Sequence, residues 1–160
     1  MPADPAEWFE TMYTLYMFRP HYPSVASARD NIKLILDAAE RGQAVTIERS
    51  ARRSAVVDAE RLRDFFLATV PSMAEVVHEG GAWVITMPGR PIAAEATSYD
   101  EAITELVDAL REYAADWNDR LHSAPNHRDN WGLVQLISLS TDEQLREWLV
   151  RAPAESAAAE

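Results

Sequence analysis

The chain has 160 residues, of which 48% are hydrophobic, and it contains no cysteine. This composition excludes disulfides, iron–sulfur clusters and thiol catalysis, and it supports a packed core rather than a disordered chain. The net charge of −11 argues against non-specific binding of polyanions by the whole molecule. No apolar run approaches the ~20 residues that cross a bilayer, and the N-terminus lacks signal-peptide features, so we expect a cytoplasmic protein without membrane contact.

Residues 1–23 are predicted to form an apolar N-terminal helix followed by a linker. Asp4 can cap the helix and Pro5 suits its first position. The apolar side chains cover most of the helix circumference, so the helix must be buried, either in its own domain or against a partner. Two prolines in residues 19–23 predict an extended linker.

Residues 24–66 are predicted to form a helix, a two-stranded hairpin and a second helix. The apolar spacing and the turn residues carry this prediction. The predicted elements are a helix at 25–40 closed by Gly42, strands at 44–48 and 54–57 around a turn at 49–53, and a helix opened by Asp58. A hairpin with two helices buries little surface alone, so this unit is expected to dimerise or to pack on the rest.

The same region is locally basic within an acidic protein. Eight of the 15 basic residues lie between residues 29 and 63, against six acidic ones, whereas residues 67–160 carry 16 acidic and six basic residues. Basic side chains on a helix start and a hairpin tip can lie along one duplex, where each phosphate contact releases counterions. The alternative is a solvated face whose cations pair with nearby acids.

Three stretches of this region resemble the Phd/YefM antitoxin pattern. They are Ser27-Ala28-Arg29-Asp30-Asn31-Ile32-Lys33, Gly42-Gln43-Ala44-Val45-Thr46-Ile47-Glu48-Arg49 and Ser54-Ala55-Val56-Val57-Asp58. The family's turn usually carries glycine near position 52, where this chain has Arg52 and Arg53. The resemblance implies that residues 24–70 dimerise and bind operator DNA, with Arg29 and Arg49 matching the DNA-contacting arginines. The expected DNA-binding residues are Arg29, Lys33, Arg49, Arg52 and Arg53.

Residues 71–121 are predicted to form three strands and a long helix. The predicted elements are strands at 76–79, 82–87 and 92–96, a Gly80-Gly81 turn, and a helix that begins at a Ser98–Glu101 capping box. Over 76–118 this order resembles the HicB-type antitoxin domain. Ile92 stands where that family has its proline–glycine pair after the second strand, and Ala96 stands where it has the glycine before the helix cap. The resemblance implies that this domain blocks a small basic ribonuclease toxin. A plain packing module is the alternative, and both stay open.

The remaining residues, 122–160, are predicted to form C-terminal helices and a frayed tail. No nucleotide-binding loop or nucleophile elbow is present in the sequence. None of the four histidines has partners at a spacing that favours a metal site. We therefore expect no catalytic residue, no metal and no cofactor.

The sequence as a whole predicts an α+β antitoxin. Its parts are the N-terminal helix, a Phd/YefM-like helix–hairpin–helix unit, and a three-stranded antiparallel sheet with a long helix and C-terminal helices. The expected partners are a basic toxin, operator DNA and a second copy of the chain. The candidate toxin-binding anchors are Trp8, Tyr13, Tyr16 and Trp83. A stand-alone DNA-binding regulator and an adaptor that binds only protein are the alternative functions.

Overall fold

The protein was studied as a computed structural model, which describes residues 21–151. These residues form a mixed α+β structure with six α-helices and two three-stranded sheets. The chain divides into two compact units between Leu62 and Arg63, here called the first unit (described from residue 21) and the second unit (described to residue 151). The predicted N-terminal helix, with Trp8, Tyr13 and Tyr16, lies outside the described residues.

The sheet of the first unit has three strands rather than the two predicted. Strand β1 (His21–Tyr22) pairs in parallel with β2 (Val45–Arg49), which pairs antiparallel with β3 (Arg52–Val56). The predicted linker at 19–23 therefore contributes two residues to the sheet. The aromatic side chain of Tyr22 is buried in the small core, which holds this short strand in place.

The helix predicted at 25–40 is interrupted at Asn31. It forms α1 (Val25–Asp30) and α2 (Ile32–Glu40). Asn31 has φ −122° and ψ 19°, and its side-chain Nδ2 donates to the carbonyl oxygen of Ser27 at 2.8 Å. Such local side-chain bonds compete with the helical backbone pattern, which explains the break.

Among the described residues of the first unit, the buried core is small and part of the predicted apolar face is exposed. Within residues 21–62, the members of the buried cluster are Tyr22, Ala28, Ile35, Ala38 and Val45, and Ala39 is also buried. In contrast, Val25, Ile32 and Leu36, which share the predicted face, are about half exposed. Gly42 ends α2 in the left-handed region at φ 84°, a conformation that glycine adopts without steric cost.

One helix crosses the boundary between the two units. Helix α3 (Ala59–Thr69) begins after Asp58, whose Oδ1 accepts a hydrogen bond from the backbone N–H of Arg61 at 2.9 Å. Phe66, on its later turns, is buried and makes an edge-on contact with Trp131 of the second unit at 5.3 Å between ring centres. Both of these residues belong to the second unit.

The second unit begins with an antiparallel sheet of strands β4 (Glu75–Glu79), β5 (Ala82–Thr86) and β6 (Ala93–Ala96), in that spatial order. Gly80 and Gly81 have φ values of 62° and 86° and form a two-residue turn between β4 and β5. Helix α4 (Tyr99–Asp119) follows and packs on β5 and β6.

Helix α4 is the centre of the second unit. The Ser98 hydroxyl accepts from the backbone N–H of Glu101 at 3.2 Å, so the helix begins where the sequence predicts. Eight side chains on one stripe are buried, which places the core between this helix, the sheet and the C-terminal helices. They are Ala102, Ile103, Leu106, Val107, Leu110, Tyr113, Ala114 and Trp117.

Two short 3₁₀ turns (Leu121–Ser123 and Arg128–Asn130) lead to α5 (Trp131–Leu139) and α6 (Asp142–Val150). Arg111 of α4 holds the junction of the two helices together. Its guanidinium donates to the carbonyl oxygen of Ser140 at 2.8 Å and to Asp142 Oδ1 at 2.6 Å. No helix within residues 21–151 has the length and apolar content to cross a membrane.

Candidate nucleic-acid and partner interfaces

The tip of the β2–β3 hairpin brings two of the predicted DNA-binding arginines together. Arg49 and Arg52 are directly opposed as the closing pair of the hairpin. The turn between them consists of Ser50 and Ala51, with φ values of 50° and 63°. Like charges opposite each other destabilise a strand pair, so this pair gains stability when an anion lies between or beside the guanidinium groups.

The third arginine of the hairpin, Arg53, lies on the opposite face of the two strands. Side chains alternate between faces along a strand, and the register sets Arg53 opposite Glu48 rather than beside Arg52. Glu48 also lies 3.7 Å from the ring Nε2 of His21. Arg53 therefore has a carboxylate neighbour and does not extend the Arg49–Arg52 pair.

The two predicted helix cations have acidic neighbours of their own. Arg29 Nε lies 3.4 Å from Asp30, and Lys33 Nζ lies 2.7 Å from Asp37. The hydrogen bond and charge of Asp37 raise the pKa of the Lys33 ammonium above its ordinary value. The helix break at Asn31 separates the two cations, so their four-residue spacing does not align them on one continuous helix.

The described structure thus divides the five predicted DNA-binding residues into two groups. Arg49 and Arg52 form an exposed pair at the hairpin tip. Arg29, Lys33 and Arg53 have local acidic neighbours, as the alternative of a solvated face expects. The exposed ion pairs of Arg29 and Lys33 contribute little to stability. The hairpin pair is therefore the stronger part of a candidate phosphate-binding surface.

An exposed apolar surface lies on α2 of the first unit. Ile32 and Leu36 are one helical turn apart and are 50% and 49% exposed. Val25, at the start of α1, is 53% exposed. Periodicity alone placed all three on the inward face; their exposure instead leaves apolar area that a partner surface could cover.

Trp83, the candidate anchor within the described residues, belongs to an aromatic cluster of the second unit. Its ring centre lies 4.7 Å from that of His78 and 5.4 Å from that of Tyr99. Trp83 is partly buried, since it lies on the sheet face on which the fully buried Ile85 also lies. It can contribute its exposed edge to a partner, but much of its surface packs within the unit.

The full exposure of strand β4 is a feature that the sequence analysis did not predict. All five of its residues are exposed, including Val76 and Val77, which lie on opposite faces of the strand. The signal in the sequence was the adjacent valine pair, because a half-buried strand would alternate apolar and polar residues. β4 is also the outer strand of its sheet.

The histidines near the end of α4 have structural partners. The hydroxyl of Tyr113 lies 3.1 Å from His127 Nδ1 and accepts from Asn130 Nδ2 at 2.7 Å. Trp117 Nε1 donates to the carbonyl oxygen of His127 at 2.8 Å. Among residues 21–151, no group of three histidine, aspartate or glutamate side chains is arranged to hold a metal ion.

Comparison with known proteins gives a similar fold in one solved structure. The crystal structure of an antitoxin part of a candidate toxin/antitoxin system from Syntrophomonas wolfei subsp. wolfei superimposes with a TM-score of 0.69 and 21% sequence identity. The alignment covers 79% of this chain and 94% of that chain. No family model and no curated protein matches the sequence. The chain therefore shares the fold of that antitoxin structure.

Proposed function

We propose that this protein is the antitoxin of a toxin–antitoxin system. The observation that carries the proposal is the fold, which matches that of an antitoxin over most of both chains. The separation of charge along the sequence supports it, because a locally basic region is followed by a strongly acidic one. Such a chain can bind a polyanion with one unit and a basic protein with the other.

The first unit is proposed to bind operator DNA through the hairpin tip. Arg49 and Arg52 are exposed and adjacent, and arginine binds phosphate oxygens or guanine edges through paired N–H donors. Arg29 and Lys33 on the helices and Arg53 on the other strand face would add phosphate contacts if DNA displaced their exposed carboxylate neighbours. The resemblance of residues 24–66 to the Phd/YefM pattern supports the same assignment.

The first unit is also proposed to form a symmetric dimer. Within residues 21–62 its cluster of five buried residues is small, while Val25, Ile32 and Leu36 remain about half exposed. Covering these side chains with those of a second copy would complete the core. A two-fold dimer would also present two hairpin tips to the two half-sites of an operator.

The second unit is proposed to bind and block the toxin. Residues 67–160 carry 16 acidic and six basic residues, which suits a basic toxin whose substrate is RNA. Competition for the surface of the toxin that binds RNA would neutralise it. Trp83 is the described candidate anchor, and Trp8, Tyr13 and Tyr16 remain proposed anchors in the part of the chain outside the described residues.

Expression of the full chain with the product of the adjacent reading frame tests the proposal. We expect the adjacent product to arrest growth alone, and the full chain to restore growth and to bind it in calorimetry. Growth arrest that the full chain does not relieve, together with an absence of binding, would contradict an antitoxin role. Binding of operator DNA with no toxin partner would instead support the stand-alone regulator.

A further inference from the structure

The outer edge of strand β4 has the geometry of a strand-docking site. The two-residue turn at Gly80 and Gly81 makes Glu79 and Ala82 the closing pair of the hairpin, whose N–H and C=O groups face each other. Because this orientation alternates, the backbone groups of Val76 and His78 point away from β5. Among the described residues, no strand pairs with this edge.

Apart from its two glutamates, the edge lacks the features that normally prevent such pairing. Strand edges are usually protected by proline, by a bulge, by lysine or by a covering helix. β4 is regular along its whole length, and its five residues, Glu75 to Glu79, include neither proline nor lysine. Val76 and Val77 expose 43% and 53% of their surface, one on each face of the strand. An added strand would cover both valines and satisfy the outward backbone groups.

The charges of the strand determine which partner it favours. Glu75, Val77 and Glu79 lie on one face of β4, and Glu95 lies on the same face of the sheet, in the row of Val77 and Val84. Within the described sheet, this face carries three carboxylates and no basic side chain. A strand with lysine or arginine opposite Glu75 and Glu79 would therefore gain favourable cross-strand pairs.

The same charges disfavour a second copy of this chain. Antiparallel pairing of β4 with itself about Val77 would set Glu75 opposite Glu79 of the other copy, at both ends of the pair. In-register parallel pairing would set each glutamate beside its own counterpart. Like charges at directly opposed positions are destabilising, so these two registers of self-pairing are disfavoured.

We propose that the outer edge of β4 binds an extended segment of a basic partner protein by strand addition, with Val76 and His78 supplying the backbone hydrogen bonds. This inference rests on the proposed function, because it identifies the part of the second unit that binds the toxin. Backbone pairing would supply affinity, and Glu75 and Glu79 would select basic side chains at the positions of the added strand opposite them.

The first test uses the full chain and a short peptide in which lysine and valine alternate. We expect the peptide to slow hydrogen exchange at the amides of Val76 and His78, and a glutamate–valine peptide of equal length to leave both unchanged. Equal effects of the two peptides, or protection of neither amide, would overturn the proposal. Protection of both amides in the free protein that disappears on dilution would show self-pairing and would also overturn it.

The second test reverses charges on β4. It measures the affinity of each variant for the protein encoded by the adjacent reading frame and for the lysine–valine peptide. Glu75→Lys with Glu79→Lys should weaken both interactions by about tenfold, because two attractive exposed pairs become repulsive. Glu105→Lys with Glu112→Lys, on the exposed face of α4, changes the net charge equally and should have less than about a twofold effect. Equal losses in the two double variants would assign the effect to overall charge and overturn the proposal.

A third variant tests the backbone directly. Val76→Pro removes only an outward N–H, so the β4–β5 ladder should persist, and circular dichroism checks that the chain is folded. Unchanged peptide affinity in folded Val76→Pro would overturn strand addition; if this variant unfolds, the charge-reversal pair decides.

If the wild-type chain does not bind the toxin at all, the proposed function fails. If it binds toxin equally with and without the edge substitutions, the function stands and the edge assignment fails.

Discussion

Arg49 and Arg52 are the closing pair of the β2–β3 hairpin, so two positive charges lie side by side at an exposed tip. A fold gains nothing from this arrangement by itself, since opposed like charges are destabilising. It becomes favourable when the pair contacts a phosphate group. This relationship gives the proposed DNA-binding surface its sharpest test.

Replacing Arg49 and Arg52 by alanine should weaken operator binding and reduce its salt dependence. If each arginine contacts one phosphate, the slope of log K against log salt should fall by about two. Titrations of mobility shift at several salt concentrations measure this slope. Arg120→Ala with Arg128→Ala removes the same charge from the second unit and should leave the slope unchanged; an equal decrease in the control would refute the assignment.

The hairpin turn predicts a stabilising substitution. Ala51 has φ 63°, which costs an L-residue free energy that glycine does not lose. Ala51→Gly should therefore raise the free energy of unfolding of the first unit by about 0.5–1 kcal/mol. Ala55→Gly, in the extended strand β3, should lower it by a similar amount. Urea denaturation compares the three proteins, and destabilisation by Ala51→Gly would show that the turn is not left-handed.

The exposed apolar residues of α2 predict the oligomeric state. Ile32→Gln with Leu36→Gln should convert a dimer into a monomer, because the proposed interface loses its central apolar contacts. Light scattering across the micromolar range measures the mass. Met73→Gln with Val150→Gln changes two residues of similar exposure in the second unit and should leave the dimer intact. A wild-type monomer, with and without DNA, would contradict the proposal.

Arg111 should contribute more to stability than its partly exposed position suggests. Its guanidinium binds the Ser140 carbonyl and the Asp142 carboxylate, at the junction of α5 and α6. Arg111→Met keeps the apolar stem but leaves these acceptors unpaired, so the second unit should lose about 2 kcal/mol. Arg120→Met removes one exposed pair with Asp116 and should cost less than about 0.5 kcal/mol. Equal losses in denaturant unfolding would refute the bridging role.

Glu101 gives the second unit a small pH dependence. The Thr97 hydroxyl donates to Glu101 Oε2 at 2.9 Å, and this bond, with those from Ser98, lowers the pKa of the Glu101 carboxyl. Because the pKa is lower in the folded state, the ionised carboxylate stabilises the fold at pH values above the unfolded-state pKa. This stabilisation is lost as the pH falls through the folded-state pKa. Thr97→Val should raise the Glu101 pKa in an NMR titration and should reduce stability at neutral pH but not in acid. Thr69→Val, which removes a different hydroxyl, should leave the Glu101 pKa and the difference between neutral and acid stability unchanged.

Sequence signals located the elements that depend on local chemistry. Ser98 and Asp58 begin helices because their side chains accept from backbone N–H groups three residues later. Gly80 and Gly81 form the turn of the β4–β5 hairpin for a similarly local reason. These interactions lie within a few residues of chain, so the sequence expresses them directly.

Features that depend on longer-range or competing contacts were not predicted. Periodicity merged α1 and α2, because the bond from Asn31 to Ser27 that interrupts them is not visible in apolar spacing. Strand β1 was missed because its pairing with β2 joins residues far apart in sequence. The charge count grouped five DNA-binding candidates, whereas only the strand register shows that Arg53 lies opposite Glu48.

Helix α3 has a practical consequence for dissecting the protein. Its residues run from Ala59 to Thr69, so the boundary after Leu62 falls inside one continuous hydrogen-bonded segment. A single cut there would leave each fragment with a frayed half-helix, and loss of function would report damage rather than division of labour. Overlapping fragments that both retain residues 59–70 avoid this artefact, since each keeps the complete helix.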